Sequence, residues 1–271
     1  MSSAQTILSK VISIDGTPIA VEKTGSGSQL LLVNGTGADR TRWAGVTPRL
    51  SQHFTIYCID RRGHGDSGDA PGYSIQREYE DIAAVAASID GPVDILGHSF
   101  GAACVLGAAP NIPNLKHLVL YEPPMMKEQQ TPQRDLLLQR MDLALAAGDR
   151  EAVVLILLNE MLRIPLAAID KLRATPAWIG QVTAAHTIPR ELRSSDKYGE
   201  NPDALKRITA PTMFLLGSES HESFRWTMEK LHSLLPNSQI VVLPGQQHSA
   251  MLTGPDLFVQ EVTRFLMDQP T

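Results

Sequence analysis

The sequence predicts an α/β fold, a mostly parallel sheet with helices on both faces. Short apolar runs at residues 30–33, 54–59, 93–96, 115–121, 212–216 and 239–243 alternate with stretches of helical periodicity, the pattern of strands covered on both sides. At one strand-to-helix junction stands Gly97-His98-Ser99-Phe100-Gly101, a turn that needs a strand before it and a helix after it. With 271 residues, the chain is long enough for one sizeable core carrying an insertion.

Each element has its own signal. Residues 11–14 and 19–22 flank Asp15-Gly16, a turn dipeptide, so the chain is expected to open with a β-hairpin. The run 30–33 leads into the loop Asn34-Gly35-Thr36-Gly37, and a helix is expected over 41–50. After the strand 54–59, residues 76–89 place Ile82, Val85, Ala86 and Ile89 on one face of a helix that Gly91-Pro92 ends. The strand 93–96 turns at Ser99 into the small-residue helix 102–109. Pro123-Pro124 stops the strand 115–121.

From there to about residue 204 the periodicity is helical only. Residues 153–158 are apolar without a break and suit a strand in isolation, but Gly148-Asp149-Arg150-Glu151, with Asp149 as N-cap, favours a helix. Alternation resumes with a strand at 212–216, a helix at 224–235, a strand at 239–243 and a helix at 257–267. The expected organisation is a core of residues 1–124 and 205–271, with a helical lid at 125–204 over the carboxyl edge of the strands.

Composition narrows the function classes. A net charge of −5, with basic residues dispersed, gives no electrostatic reason to expect nucleic acid or an anionic membrane as partner. No run approaches the roughly 20 apolar residues of a membrane span, and residues 1–10 carry no secretory pattern, so a cytoplasmic protein is expected. Cys58 and Cys104 both sit in apolar runs and read as core filler. No His/Cys/Asp cluster has metal-ligand spacing and no Gly-x-Gly-x-x-Gly follows the first strand, so neither a metal nor another cofactor is expected. Oligomeric state is left open, a homo-oligomer included.

The chemistry starts at Ser99. A turn this tight leaves no room for side chains two residues before and after the serine, and both places are glycine. The serine is forced into a strained backbone with its hydroxyl above the sheet and the Phe100 N–H beside it, the arrangement of a nucleophile.

Together with Asp60-Arg61-Arg62-Gly63-His64-Gly65-Asp66-Ser67 and the late His248, this pentapeptide resembles the α/β-hydrolase family over nearly the whole chain outside the helical block. The Asn34-Gly35-Thr36-Gly37 loop, the Arg-Arg-Gly run and Tyr121-Glu122-Pro123-Pro124 are similar to small bacterial esterase-like and enol-lactonase-like members. The resemblance implies that His248, in the loop between the last strand and the last helix, is the base that takes the serine proton and returns it to the leaving group. It implies an oxyanion hole made by the backbone N–H groups of Thr36 and Phe100. Asn34 stands where many relatives carry histidine, and its side chain either holds the loop or faces the pocket.

The acid departs from the usual pattern. Its ordinary place, about three residues after the glycine of Leu216-Gly217, is Ser220, which cannot stabilise an imidazolium. Glu219 and Glu122 are the substitutes. Some relatives, haloalkane dehalogenases among them, place the acid after the earlier strand, and Glu122 is favoured because it ends a buried strand and is braced by two prolines.

Other residues read as structural. His98 is expected to pack, pointing away from the nucleophile, and Trp43 to lie beneath the active-site loop. Asp60 and Arg62 are expected to satisfy local backbone or each other. Met125, Met126, Leu157, Leu158 and Trp178 are candidates to line an apolar acyl pocket.

The function expected is a serine hydrolase that cleaves a small carboxylic ester or lactone through an acyl-enzyme. Dehalogenase and epoxide hydrolase chemistry is disfavoured because those relatives have aspartate at the nucleophile position. A ligand-binding, receptor-like member, cofactor-free perhydrolysis and carbon–carbon cleavage stay open as alternatives.

Overall fold

A computed structural model describes residues 6–124, 131–195, 197–199 and 201–267. Eight strands, β1 (Ile7–Ile12), β2 (Pro18–Gly25), β3 (Ser28–Val33), β4 (Phe54–Ile59), β5 (Val93–His98), β6 (Leu115–Tyr121), β7 (Thr212–Gly217) and β8 (Ser238–Leu243), form one sheet in the order β1-β2-β4-β3-β5-β6-β7-β8. β1 and β2 make the expected hairpin, with Ile12 opposite Pro18, and Asp15 accepts a hydrogen bond from the Thr17 N–H at 3.0 Å to close the turn. β2 runs antiparallel to β4, and every pairing from β4 through β3 to β8 is parallel.

The order contains one reversal. From β3 the chain moves to β4 on one side and then returns to β5 on the other, which opens a crevice at the carboxyl ends of β3 and β5. Val33 pairs with Gly97 at that edge, so the loop after β3 and the turn after β5 meet there.

Period-two alternation divides the strand side chains between two apolar layers. Leu31, Val33, Ile95, Leu118, Leu120, Phe214 and Leu216 face helices α2 (Ile75–Ala87), α3 (Phe100–Ala108) and α10 (Glu222–Leu234). Leu30, Leu32, Leu96, Val119, Tyr121, Met213 and Leu215 face α1 (Thr47–Leu50), α11 (Ala250–Thr253) and α12 (Pro255–Met267). Both cysteines are buried and free.

Between β6 and β7 the described residues form α4 (Pro132–Ala146), α5 (Arg150–Leu155), a π-helical turn (Ile156–Met161), α6 (Leu166–Arg173), α7 (Pro176–Thr183), α8 (Ile188–Ser194) and α9 (Pro202–Lys206). The stretch 153–158 is helical, as its lead-in indicated, and Asp149 caps it by accepting the Ala152 N–H at 2.9 Å. Most of this block packs around its own apolar cluster, which includes Met141, Val153, Leu157, Trp178 and Ile188. It meets the core at the loop after β3: a Cβ placed on Gly37 would lie 3.0 Å from the Ile188 side chain and 3.8 Å from Leu157.

One expectation needs correction, and one is met in part. The helix over 41–50 is instead a 3-10 turn (Arg40–Trp43) followed by the short α1, because Gly45 breaks the run and Pro48 starts a new first turn. Of the partners expected for Asp60 and Arg62, local backbone or each other, Asp60 takes local backbone and the two do not pair with each other. Asp60 accepts the Asp66 and Arg40 N–H groups and pairs with the Arg40 guanidinium, whereas Arg62 reaches Asp81 on α2 at 2.7 Å and Asp15 at 3.1 Å. Among the described residues, no helix is long and apolar enough to cross a membrane.

Candidate active site

The turn after β5 shows why its glycines are required. A Cβ on Gly97 would lie 2.7 Å from the Ala102 Cα, and one on Gly101 would lie 2.5 Å from the carbonyl oxygens of Val33 and Asn34. Neither fits. Packed between them, Ser99 adopts φ 53° and ψ −124°, a left-handed region that side chains disfavour. Its N–H donates to the Tyr121 carbonyl at 2.8 Å, which fixes the turn against the end of β6.

The residue after Tyr121 is Glu122, also held at positive φ, 45°, and buried. Its Oε1 accepts the Gly217 N–H at 2.8 Å. Its Oε2 stands 2.6 Å from Nδ1 of His248. An ionised carboxylate only accepts, so Nδ1 carries the proton and Nε2 keeps its lone pair. The Phe224 ring stacks on the His248 ring at 4.7 Å between centroids and 18° between planes.

Two side chains from the sheet hold the loop that carries His248. The Tyr121 hydroxyl donates to the Gln247 carbonyl and accepts the Ala250 N–H at 3.0 Å. The His98 Nε2–H donates to the His248 carbonyl at 2.8 Å. Burial, with the nearby His248 and Arg42, pushes the His98 pKa well below the ordinary histidine value, so the ring is neutral and its Nδ1 is a bare acceptor with no partner among the described residues. Trp43 is buried edge-on to this ring at 6.3 Å.

The loop after β3 closes over the nucleophile. A Cβ on Gly35 would fall 2.9 Å from the Ser99 Cβ, so only glycine lets the two backbones meet. Asn34 is buried and its amide nitrogen donates to the Ala38 carbonyl, so the side chain ties the loop to itself. The N–H groups of Thr36 and Phe100 have no acceptor among the described residues, and Phe100 opens α3, where first-turn donors lack helical partners.

Ser99, His248 and Glu122 are thus brought to one edge of the sheet together with Thr36 and Phe100. Glu219 is exposed, its carboxylate accepting the Ser218 hydroxyl at 3.2 Å. Trp178 sits in the insertion's own cluster with the Arg173 guanidinium 5.3 Å from its ring centroid, and Met125 and Met126 lie outside the described residues. Sequence reading missed Arg61. It is buried, its Nε and Nη2 donate at 2.9 Å to the carbonyls of Asn34 and Gly35, and its Nη1 donates at 2.8 Å to Glu78. The signal available was its place just past β4, beside the crevice, but a lone arginine after a strand does not announce partners 26 and 27 residues away.

A sequence profile described as the alpha/beta hydrolase family matches residues 30–261. The 2-(acetamidomethylene)succinate hydrolase of Mesorhizobium japonicum is 26% identical, with 96% of this chain and 95% of that protein aligned. The pimeloyl-[acyl-carrier protein] methyl ester esterase of Nitrosomonas europaea is 24% identical over 89% of this chain and 96% of its own length. Among solved structures, an alpha/beta hydrolase from Sphaerobacter thermophilus superposes with a TM-score of 0.82 at 33% identity, covering 96% of this chain and 100% of that one. Sheet order, strained serine turn and sequence likeness agree: the chain belongs to the α/β-hydrolase family.

Proposed function

We propose that the protein is a serine hydrolase that cleaves a small carboxylic ester or lactone through an acyl-enzyme intermediate. The observation that carries this reading is the 2.6 Å contact between Glu122 and His248 Nδ1, at the same sheet edge as a serine held at positive φ. That contact leaves Nε2 as the atom able to take a proton.

Ser99 Oγ attacks the carbonyl carbon as its proton passes to His248 Nε2. Glu122 stays ionised and stabilises the imidazolium. The carbonyl oxygen gains the negative charge and is received by the N–H groups of Phe100 and Thr36, each such donor contributing roughly 3 kcal/mol to the transition state. Collapse expels the alcohol, which takes the Nε2 proton. Water then repeats the sequence on the acyl-enzyme, giving its proton to Nε2 and releasing the acid and free Ser99.

A fluorophosphonate should label Ser99, and a p-nitrophenyl ester should give a nitrophenol burst that Ser99→Ala abolishes. Ligand binding without Ser99-dependent turnover would instead favour a receptor-like member. Ser99-dependent peracid formation or carbon–carbon cleavage that outruns ester hydrolysis would replace the ester reading.

Arg42 favours an acid-bearing substrate. It lies in the 3-10 turn Arg40–Trp43 after the loop over the nucleophile, is half-buried, and has no carboxylate within ion-pair distance among the described residues. Burial pushes its pKa down, only partly offset by Asp39, and its charge is felt at His98. A guanidinium so placed gains from an anionic ligand, and the Mesorhizobium relative is named for a succinate derivative. Arg42→Gln should lower kcat/KM roughly 10- to 100-fold for mono-p-nitrophenyl succinate, with p-nitrophenyl butyrate spared. Equal losses on both would reject this refinement.

A further inference from the structure

Arg61 braces the backbone around the proposed oxyanion hole. Its Nε and Nη2 hold the Asn34 and Gly35 carbonyls at 2.9 Å, and its guanidinium lies 5.0 Å from the centroid of the Phe100 ring. Two buried carboxylates share it: Glu78 from α2 accepts Nη1 at 2.8 Å, and Glu191 from the inserted α8 stands 3.0 Å from Nη2. Glu191 also lies 3.2 Å from Nε2 of His64. Both Glu191 contacts are at ion-pair distance but off the hydrogen-bond axis.

The Gly35 carbonyl and the Thr36 N–H belong to one planar trans peptide, so they point in opposite directions from a rigid unit. Whatever fixes the oxygen therefore fixes the hydrogen. The cation also draws charge from that carbonyl and strengthens the donor at its other end.

We propose that Arg61 is the positioning residue of the oxyanion hole: its grip on the Gly35 carbonyl aims the Thr36 N–H at the developing alkoxide, and Glu191 ties that grip to the inserted helices. The inference rests on the serine-hydrolase reading and on Thr36 as a donor. Arg61 itself does not meet the substrate.

The charge pattern suits the role. Burial pushes the Glu191 carboxyl up, but Arg61 and His64 outweigh it and hold the group at about 2. Burial raises the Glu78 carboxyl; Arg61 opposes that shift and the neighbouring Glu191 adds to it. The Arg61 guanidinium thus stands between two buried carboxyl groups whose shifts run in opposite directions.

The test measures kcat and KM for Arg61→Lys and Arg61→Gln, together with affinity for an alkyl boronic acid, whose Ser99 adduct mimics the alkoxide, and for the product acid. Loss of the aimed donor should lower kcat about 10²- to 10³-fold with KM little changed. Boronate affinity should fall in step with kcat/KM while product affinity stays. A merely structural role would shift product affinity and KM as much as kcat, and that result overturns the proposal. In wild-type protein, the Arg61 guanidinium N–H resonances should move when the boronate binds, a readout that survives if the variants do not fold. Unmoved resonances also overturn it. If Ser99→Ala retains full ester turnover, the hydrolase reading itself has failed; Ser99-dependent turnover with Arg61→Lys unimpaired rejects this inference alone.

Discussion

Glu122→Gln isolates the contact on which the mechanism turns. In the wild type, Oε1 accepts the Gly217 N–H at 2.8 Å and Oε2 meets His248 Nδ1 at 2.6 Å. The Gly217 N–H can only donate, so the amide oxygen of glutamine must stay on it and the NH₂ must face the imidazole. An NH₂ also only donates, so Nδ1 becomes the acceptor and the ring proton moves to Nε2. Ser99 then faces a nitrogen with no lone pair. The comparable change in the Ser-His-Asp proteases costs about 10⁴ in kcat, or about 5.4 kcal/mol of transition-state stabilisation. Glu122 touches no substrate in this mechanism, so KM should change little. Steady-state kinetics on p-nitrophenyl acetate, with the melting temperature recorded to establish folding, measure this directly. Retention of kcat within about tenfold would refute the tautomer argument, because orientation alone predicts a far larger loss. Glu219→Gln serves as the comparison, with kcat expected within about twofold, as for exposed side chains away from structural features.

Gly101→Ala should push α3 away from β3, since its Cβ would meet the Val33 and Asn34 carbonyls at 2.5 Å; overpacking of about 1–3 kcal/mol would lower Tm by several degrees, and an unchanged Tm would contradict the packing. Tyr121→Phe strands the Gln247 carbonyl and the Ala250 N–H, so stability should fall by about 1–3 kcal/mol in urea melts and kcat should drop as the His248 loop loosens. Glu191, held at about 2 against an ordinary 4.5, stabilises the fold above pH 4.5 and loses that contribution as pH falls toward 2, about 3 kcal/mol in all. Glu78 has the opposite sign: its raised pKa makes stability decline as pH rises above 4.5, a decline that Glu78→Gln should remove in melts taken at pH 4.5 and near pH 7.

Much of this architecture is legible from local chemistry. The inner strands β3 to β7 announce themselves because a strand covered on both faces is largely apolar, and Asp149 marks its helix because an N-cap is a short-range device. The serine turn is equally local, Gly97 set by residues four and five places away and Gly101 by the end of the neighbouring strand β3. What fails is what depends on the third dimension. Arg62 carries no sign that its partners are Asp81 and Asp15, and Arg61 none that it spans four segments of chain. Gly45 sits inside the expected helix at 41–50, and it is packing that lets the two short turns on either side of it bury Trp43 and Leu50 in one layer.

The displaced acid shows how a sheet tolerates such a change. β6 and β7 are adjacent and parallel, with Tyr121 opposite Leu215, so the residue after Tyr121 lies beside the last residues of β7. Neighbouring strands are only about 4.8 Å apart, a gap that a glutamate side chain crosses. Glu122 therefore receives the Gly217 N–H from β7's own end while reaching His248 from β6. A carboxylate on either strand can address the same imidazole nitrogen, provided its backbone turns inward. Glu122 does so through its positive φ, and Ser220, at the vacated position, buries a hydroxyl that has no partner among the described residues. Moving the acid back, with Ser220→Asp in a Glu122→Gln background, should restore part of the lost kcat. If no activity returns although the double variant folds, the equivalence of the two strand ends is wrong.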